Sequence, residues 1–278
     1  MNNIIKEASL FFNTNIIEKY INELNKYYFI KFNNIYLHIY YKNNIDLNFI
    51  NRILKRAYSI TKFSNKIFNI YLVLTKFIKK FNKNIKNPLC PVNVNSGFTY
   101  LNNSNIVNIY ILRYEEFPKV LIHELIHHIP YIHNTFKTNN IDKIKKHFKI
   151  ANKNLDINEC IIEFWATIMH LYYISTEYNK DIYKLFIKEL KYSLYKSNQL
   201  LELEKKNSSI WSDNTNVYCY IIFKTILLYN IDEFMKIYTF PYDDDIITDF
   251  LIKYSNLPLY NSNIYSISSL RFMIYSNY

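Results

Sequence analysis

The sequence predicts an α+β protein: a small mixed sheet-and-helix N-terminal part with an edge strand, then a mostly helical C-terminal part. Three observations predict it. Over roughly the first hundred residues, short runs rich in Ile, Tyr and Val alternate with helical stretches. After Glu115 the apolar residues recur almost throughout at three- and four-residue spacing. No internal repeat and no Pro- or Gly-rich linker interrupts the chain.

Taken in order, residues 35–41, 67–74 and 106–112 have the composition of strands, and residues 16–26 and 47–61 carry the helical period. Behind Glu115, residues 118–129, 157–175, 182–195, 216–229, 231–238 and 244–254 fit helices. Asp156 and Asp232 stand at or near helix starts, where a carboxylate can accept from unpaired amide groups. The implied organisation is an α/β part over residues 1–113, including the edge strand, and a helical part over 114–278. Together they are expected to form one compact unit. The single glycine, Gly97, lies in Asn95-Ser96-Gly97-Phe98-Thr99, so turns elsewhere must rely on Asn, which tolerates left-handed geometry. Two explanations stand for Gly97: a conformation or close approach that no side chain permits, or chance retention at an ordinary turn.

Composition bounds the function. Half the residues are hydrophobic and 18% are aromatic, ample for a core. The longest apolar candidate for a membrane span, residues 217–231, is too short and contains Lys224. Residues 1–12 contain Glu7 and two asparagines where a signal peptide would be unbroken and apolar, so a cytoplasmic protein is expected. Cys90, Cys160 and Cys219 form no Cys-x-x-Cys pair and read as small buried hydrophobes in a reducing compartment. The net charge of +11 suggests nucleic acid, but Ile, Asn, Lys and Tyr all have A/T-rich codons and this chain is full of them. Such a bias, which suits a large DNA virus or an intracellular parasite, explains much of the lysine excess. The lysine runs at 76–86 and 143–149 read as solvated faces, and no nucleic-acid-binding motif accompanies them. Neither a membrane nor a nucleic-acid partner is expected. Oligomeric state leaves no mark in the sequence.

The segment that carries chemistry is His123-Glu124-Leu125-Ile126-His127, an H-E-x-x-H motif that arises by chance in about one chain of this composition in a hundred. Its neighbours Val120, Leu121 and Ile122 are apolar, as in a helix buried in a core. Residues four apart lie one above the other on a helix, so both imidazoles point the same way and can share one Zn²⁺. Glu124 can then reach a water held there rather than the metal. Downstream, Glu159 and Glu163 are also four apart on an otherwise apolar helix. Two carboxylates buried on one face need a cation or hydrogen-bond donors to compensate them. Zinc and the free N–H of a ligand histidine supply both, with Glu159 on the metal and Glu163 orienting an imidazole.

An H-E-x-x-H helix followed by an Asn-Glu-x-x-x-Glu helix resembles the gluzincins, the thermolysin-like metallopeptidases. The match rests on His123, Glu124, His127, Asn158, Glu159 and Glu163, and covers about residues 95–166. The resemblance implies one zinc per chain, held by His123, His127 and Glu159, with Asn158 and Glu163 supporting the ligands. It implies peptide-bond hydrolysis with Glu124 as general base and a peptide or protein as substrate. It also places a substrate-binding edge strand ahead of the zinc helix, where Gly97 and Phe98 would pair with a peptide backbone. The family supplies a Tyr or His from a later helix to the oxyanion, and Tyr218 and Tyr220 are the candidates here.

A competing third ligand is His133, ten residues after His123 as in the metzincin motif. That motif turns on a glycine where this chain has Pro130, whose fixed negative φ cannot reproduce the turn, so Glu159 is favoured. His128 points about 100° away from its neighbour His127 and reads as structural. Two other readings stand beside hydrolysis: a basic nucleic-acid-binding protein with an accidental motif, and a zinc-holding scaffold without activity.

Overall fold

The computed structural model describes residues 1–79, 89–207, 210–261, 270–275 and 278. The lysine run at 76–86 therefore lies outside the described residues from position 80 onward. Two compact units divide the chain: residues 1–79, 95–129 and 275–278, and residues 80–94 and 130–274.

The first unit opens with helices α1 (Asn2–Phe12) and α2 (Ile16–Asn22). A hairpin of β1 (Lys26–Phe32) and β2 (Ile35–Tyr41) follows, then α3 (Leu47–Thr61) and β3 (Ile67–Val73). The remaining strands, β4 (Gly97–Thr99) and β5 (Ile106–Ile111), are reached after α4 (Pro91–Val94), which belongs to the second unit. The sheet order is β1-β2-β3-β5-β4; β2, β3 and β5 run parallel, and β1 and β4 pair antiparallel at the two edges. The mixed sheet with an edge strand is thus present as the sequence predicts.

Alternation gives the sheet two distinct faces. Ile35, Leu37 and Ile39 of β2, Phe68, Ile70 and Leu72 of β3, and Val107, Ile109 and Ile111 of β5 form one core. That core is closed by α3, through Ile50, Ile53, Leu54 and Ala57, and by α5 (Phe117–Ile126), through Phe117, Val120, Leu121 and Leu125. Asp46 caps α3, accepting from the Asn48 amide at 2.9 Å. The opposite face carries aromatic rings, and α1 lays Phe11 on Phe98 with ring centroids 4.3 Å apart.

The second unit is helical: α6 (Thr138–Phe148), α7 (Asn158–Tyr178), α8 (Ile182–Asn207), a π-helix (Cys219–Phe223) continuing into α9 (Lys224–Tyr229), α10 (Ile231–Ile237) and α11 (Asp244–Lys253). Its core gathers Phe164 of α7, Phe223 of the π-helix, Phe234 of α10 and Phe250 of α11 with their aliphatic neighbours. Asp232 falls in the first turn of α10 and Asp156 just ahead of α7. No helix among the described residues is long and apolar enough to cross a membrane.

Candidate metal centre

Helix α5 exists because ten consecutive residues, Phe117 to Ile126, are buried, and Pro118 sits at its start, where a missing amide costs nothing. Its first turn is anchored by charges taken out of water. Glu116, at φ 61° in the left-handed region, receives Lys79 Nζ at 2.8 Å, and both side chains are essentially fully buried. The guanidinium of Arg113 lies over the Phe77 ring at 4.2 Å, and its Nε donates to the Asn95 carbonyl at 2.9 Å. Burial holds Arg113 below its ordinary value, at about 10, against the nearby carboxylates of Glu115 and Glu116.

The regular helix ends at Ile126 rather than 129. Tighter bonds from the His128 amide to Leu125 (3.0 Å) and from the Ile129 amide to Ile126 (2.9 Å) close it ahead of Pro130, which disfavours helical geometry in the residue before it. His127 stays in register through its amide bond to the His123 carbonyl at 3.4 Å. The two imidazoles therefore meet, Nε2 to Nε2, at 3.2 Å. Both His123 and Glu124 are buried, at 7% and 6% exposure. His128 turns elsewhere: its Nε2 lies 2.8 Å from Thr99 Oγ1 and its ring meets Phe68 edge-on.

The start of α7, which carries Glu159, is fixed by a hydrogen-bonded loop. The Asp156 carboxylate accepts from the Asn158 amide at 3.0 Å and side chain at 2.7 Å. Asn216 accepts from the Asp156 amide at 3.1 Å, and the Cys219 thiol meets the Asp156 carbonyl at 3.3 Å. Asn158 ties the loop to a second segment. Its oxygen accepts from the Asn134 amide at 2.9 Å and from the Tyr242 hydroxyl, while its amide group donates to the Asn134 carbonyl at 3.1 Å. Burial, and next the charge of Glu159, push the Asp156 carboxyl up, opposed by the hydrogen bonds from Asn158 and by His133. Glu163, one turn beyond Glu159 on α7, is 1% exposed.

His123, His127 and Glu159 each offer one ligand atom, and these atoms lie within 4.8 Å of one another, a group able to hold a metal ion. The donors, two imidazole nitrogens and a carboxylate oxygen, are ligand types that several first-row divalent metals share. Ligands at about 2.0–2.1 Å from a tetrahedral ion stand about 3.3 Å apart, close to the separation of the two imidazole nitrogens. His133 is not in this group. The left-handed turn after the helix is taken by Tyr131, φ 63°, next to Pro130. A second acidic cluster, Asp243, Asp244 and Asp245, is occupied structurally: Asp243 caps α11 and the other two bind Lys137 and Asn140.

The remaining expected residues fall in two places. Gly97 and Phe98 are in β4, whose outer side has no partner strand among the described residues. Phe98 is buried, its ring stacked between Phe11 and Tyr110, so only its backbone is presented at that edge. Tyr218 is a core residue, 2% exposed among Phe148, Trp211 and Phe223, and burial raises its phenol. Tyr220 packs on Phe272. Sequence reasoning missed Asn134 and Tyr242, whose link to Asn158 spans long stretches of chain that no motif spacing covers.

The fold and site thus define an α+β protein with a His-His-Glu group able to hold a metal ion. No protein family, curated protein or solved structure matches this chain.

Proposed function

We propose that this chain is a zinc-dependent metallopeptidase. The observation that carries the reading is the His123, His127 and Glu159 group, with the buried carboxylate of Glu124 beside the first histidine in the same helix. His123, His127 and Glu159 hold the ion, and Glu163, one turn along α7, accepts from a ligand imidazole and fixes its orientation. Zinc, when bound, supplies a Lewis acid that lowers the pKa of water and polarises a carbonyl.

The chain's own residues do the rest. Glu124 takes a proton from the attacking water and delivers it to the leaving amine. Its burial keeps bulk water from competing for that proton. Asn158 holds Glu159 in place through Asn134 and Tyr242. The free side of β4 accepts the substrate as an added antiparallel strand, through the backbone at Gly97 and Phe98. Gly97 meets Val120 across the gap to α5, one turn ahead of His123.

The test is metal content of the purified chain and of Glu159→Ala, together with cleavage of a peptide library. About one zinc per chain, lost in the variant, with metal-dependent cleavage by the wild type, is expected. A wild-type chain that takes up no zinc after reconstitution refutes the proposal.

A further inference from the structure

The strand at the other edge of the sheet, β1, is exposed along nearly its whole length. Tyr27 and Phe29 on one face are 52% and 43% exposed, and Tyr28 and Phe32 on the other are 39% and 38%. Every second amide and carbonyl of this seven-residue strand points away from β2. Natural edges of this length are normally blunted by charge, Pro or a bulge, and β1 has only Lys26 and Lys31.

The aromatic face of the sheet runs up to β1. Phe98, Tyr110, Tyr71 and His38 stand in register on β4, β5, β3 and β2. Their rings stack face to face with centroids 4.9, 4.9 and 4.8 Å apart, one ring per strand at the spacing of the strands themselves. The next ring is Phe29 on β1, opposite His38 and 5.0 Å from it. At the β4 end the ladder is closed by Phe11 of α1. At the β1 end it stops at a half-exposed ring.

We propose that β1 pairs antiparallel with β1 of a second copy of this chain, about a two-fold axis through Phe29. An axis normal to the sheet keeps each face on its own side. It sets Phe29 opposite Phe29, Tyr28 opposite Ile30, Tyr27 opposite Lys31, and Lys26 opposite Phe32. The ladder then continues from one protomer into its partner, and two five-stranded sheets become one of ten strands. No like charges face each other, and none of the five strands contains Asp or Glu. Lys31 already lies 5.2 Å over the Tyr36 ring, and in the pair it also meets a tyrosine of the other copy. Phe29-to-Phe29 is the register that supplies the missing ring, and a second copy provides that ring without any further partner.

Sedimentation of the full chain tests this. The wild type is expected at dimer mass at about 100 µM, and Phe29→Lys, which sets two ammonium groups together on the axis, is expected to weaken association at least about tenfold. Far-UV circular dichroism should be unchanged in the variant. If Phe29→Lys does not fold, a cysteine pair decides: under mild oxidation Phe29→Cys should give a disulfide-linked dimer, whereas Lys31→Cys, which faces Tyr27, should not. Three results overturn the proposal: a monomeric wild type, a dimer indifferent to Phe29→Lys, or equal cross-linking at both positions. A wild type that stays monomeric but gains mass on adding an extended peptide makes β1 a peptide edge instead.

Discussion

Val120 Cγ1 stands 3.0 Å from where a β-carbon on Gly97 would lie. Ile111 Cδ1 and the Tyr110 carbonyl oxygen are closer still, at 2.8 and 2.9 Å. Gly97 does not have a positive φ, so this glycine answers to a close approach rather than to a turn. Because Val120 is one helical turn ahead of His123, the missing side chain sets how near the histidine-bearing helix lies to the edge strand.

Gly97→Ala should therefore destabilise the protein by about 1–3 kcal/mol, the usual cost of forcing extra volume into a packed site. Urea unfolding reads it directly. Adding Val120→Ala should recover part of the loss, since that side chain is one of the three in the way; Ile111 and the Tyr110 carbonyl remain. A wild-type midpoint for the single variant would mean that β4 moves aside freely.

Glu124→Gln should keep zinc near one per chain while peptide turnover falls by about 10²-fold or more, the loss expected when a general base is removed. Metal analysis and initial rates on the same preparation separate the two effects. Loss of both together would make Glu124 a structural residue of α5.

The third ligand can be decided by stoichiometry. Glu159→Gln should weaken zinc binding, and His133→Ala should leave it unchanged, because His133 lies outside the three-residue group. The reverse outcome points to the metzincin-like arrangement.

Asn158→Ala should lower stability by about 1–3 kcal/mol for each buried partner it strands, with Asn134 and Tyr242 the partners at stake. Zinc affinity should fall with it, because the first turn of α7 carries Glu159. Asn158→Asp is not expected to rescue, since a carboxylate cannot donate to the Asn134 carbonyl and would face Asp156. Parallel unfolding and zinc titrations check both variants.

Much of the fold is legible in the sequence. β2 and α3 begin and end where their composition places them, because one face of each is cleanly apolar and fully buried. β1 was hidden for the opposite reason. Lys-Tyr-Tyr-Phe-Ile-Lys-Phe leaves aromatic rings exposed on both faces, so no alternation marks it, and the expected helix 16–26 ran on to its first residue, whereas α2 stops at Asn22. α8 continues to Asn207 instead of ending at 195. Its inward side turns polar there: Ser197 bonds Thr225 at 2.9 Å and Asn198 donates to the Tyr260 carbonyl at 3.1 Å, so the apolar period breaks while the helix does not. The histidine pair could be read from spacing because helical geometry converts four residues into one face, whereas Glu159 is reached through its pairing with Glu163 on an apolar helix and the gluzincin resemblance. The Asn158–Tyr242 contact joins residues 84 apart and could not be read in either way.

The π-helix at Cys219–Phe223 holds one residue more than an α-helical turn would. That extra residue rotates everything after it by about 100°. In the rotated setting, Lys224 reaches the Phe272 carbonyl at 2.7 Å and Thr225 the Ser197 hydroxyl. Deleting a single residue from this stretch would restore a regular helix and turn both side chains away from their partners. The wide turn thus sets the phase of α9, and the Lys224 and Thr225 contacts hold only in that phase.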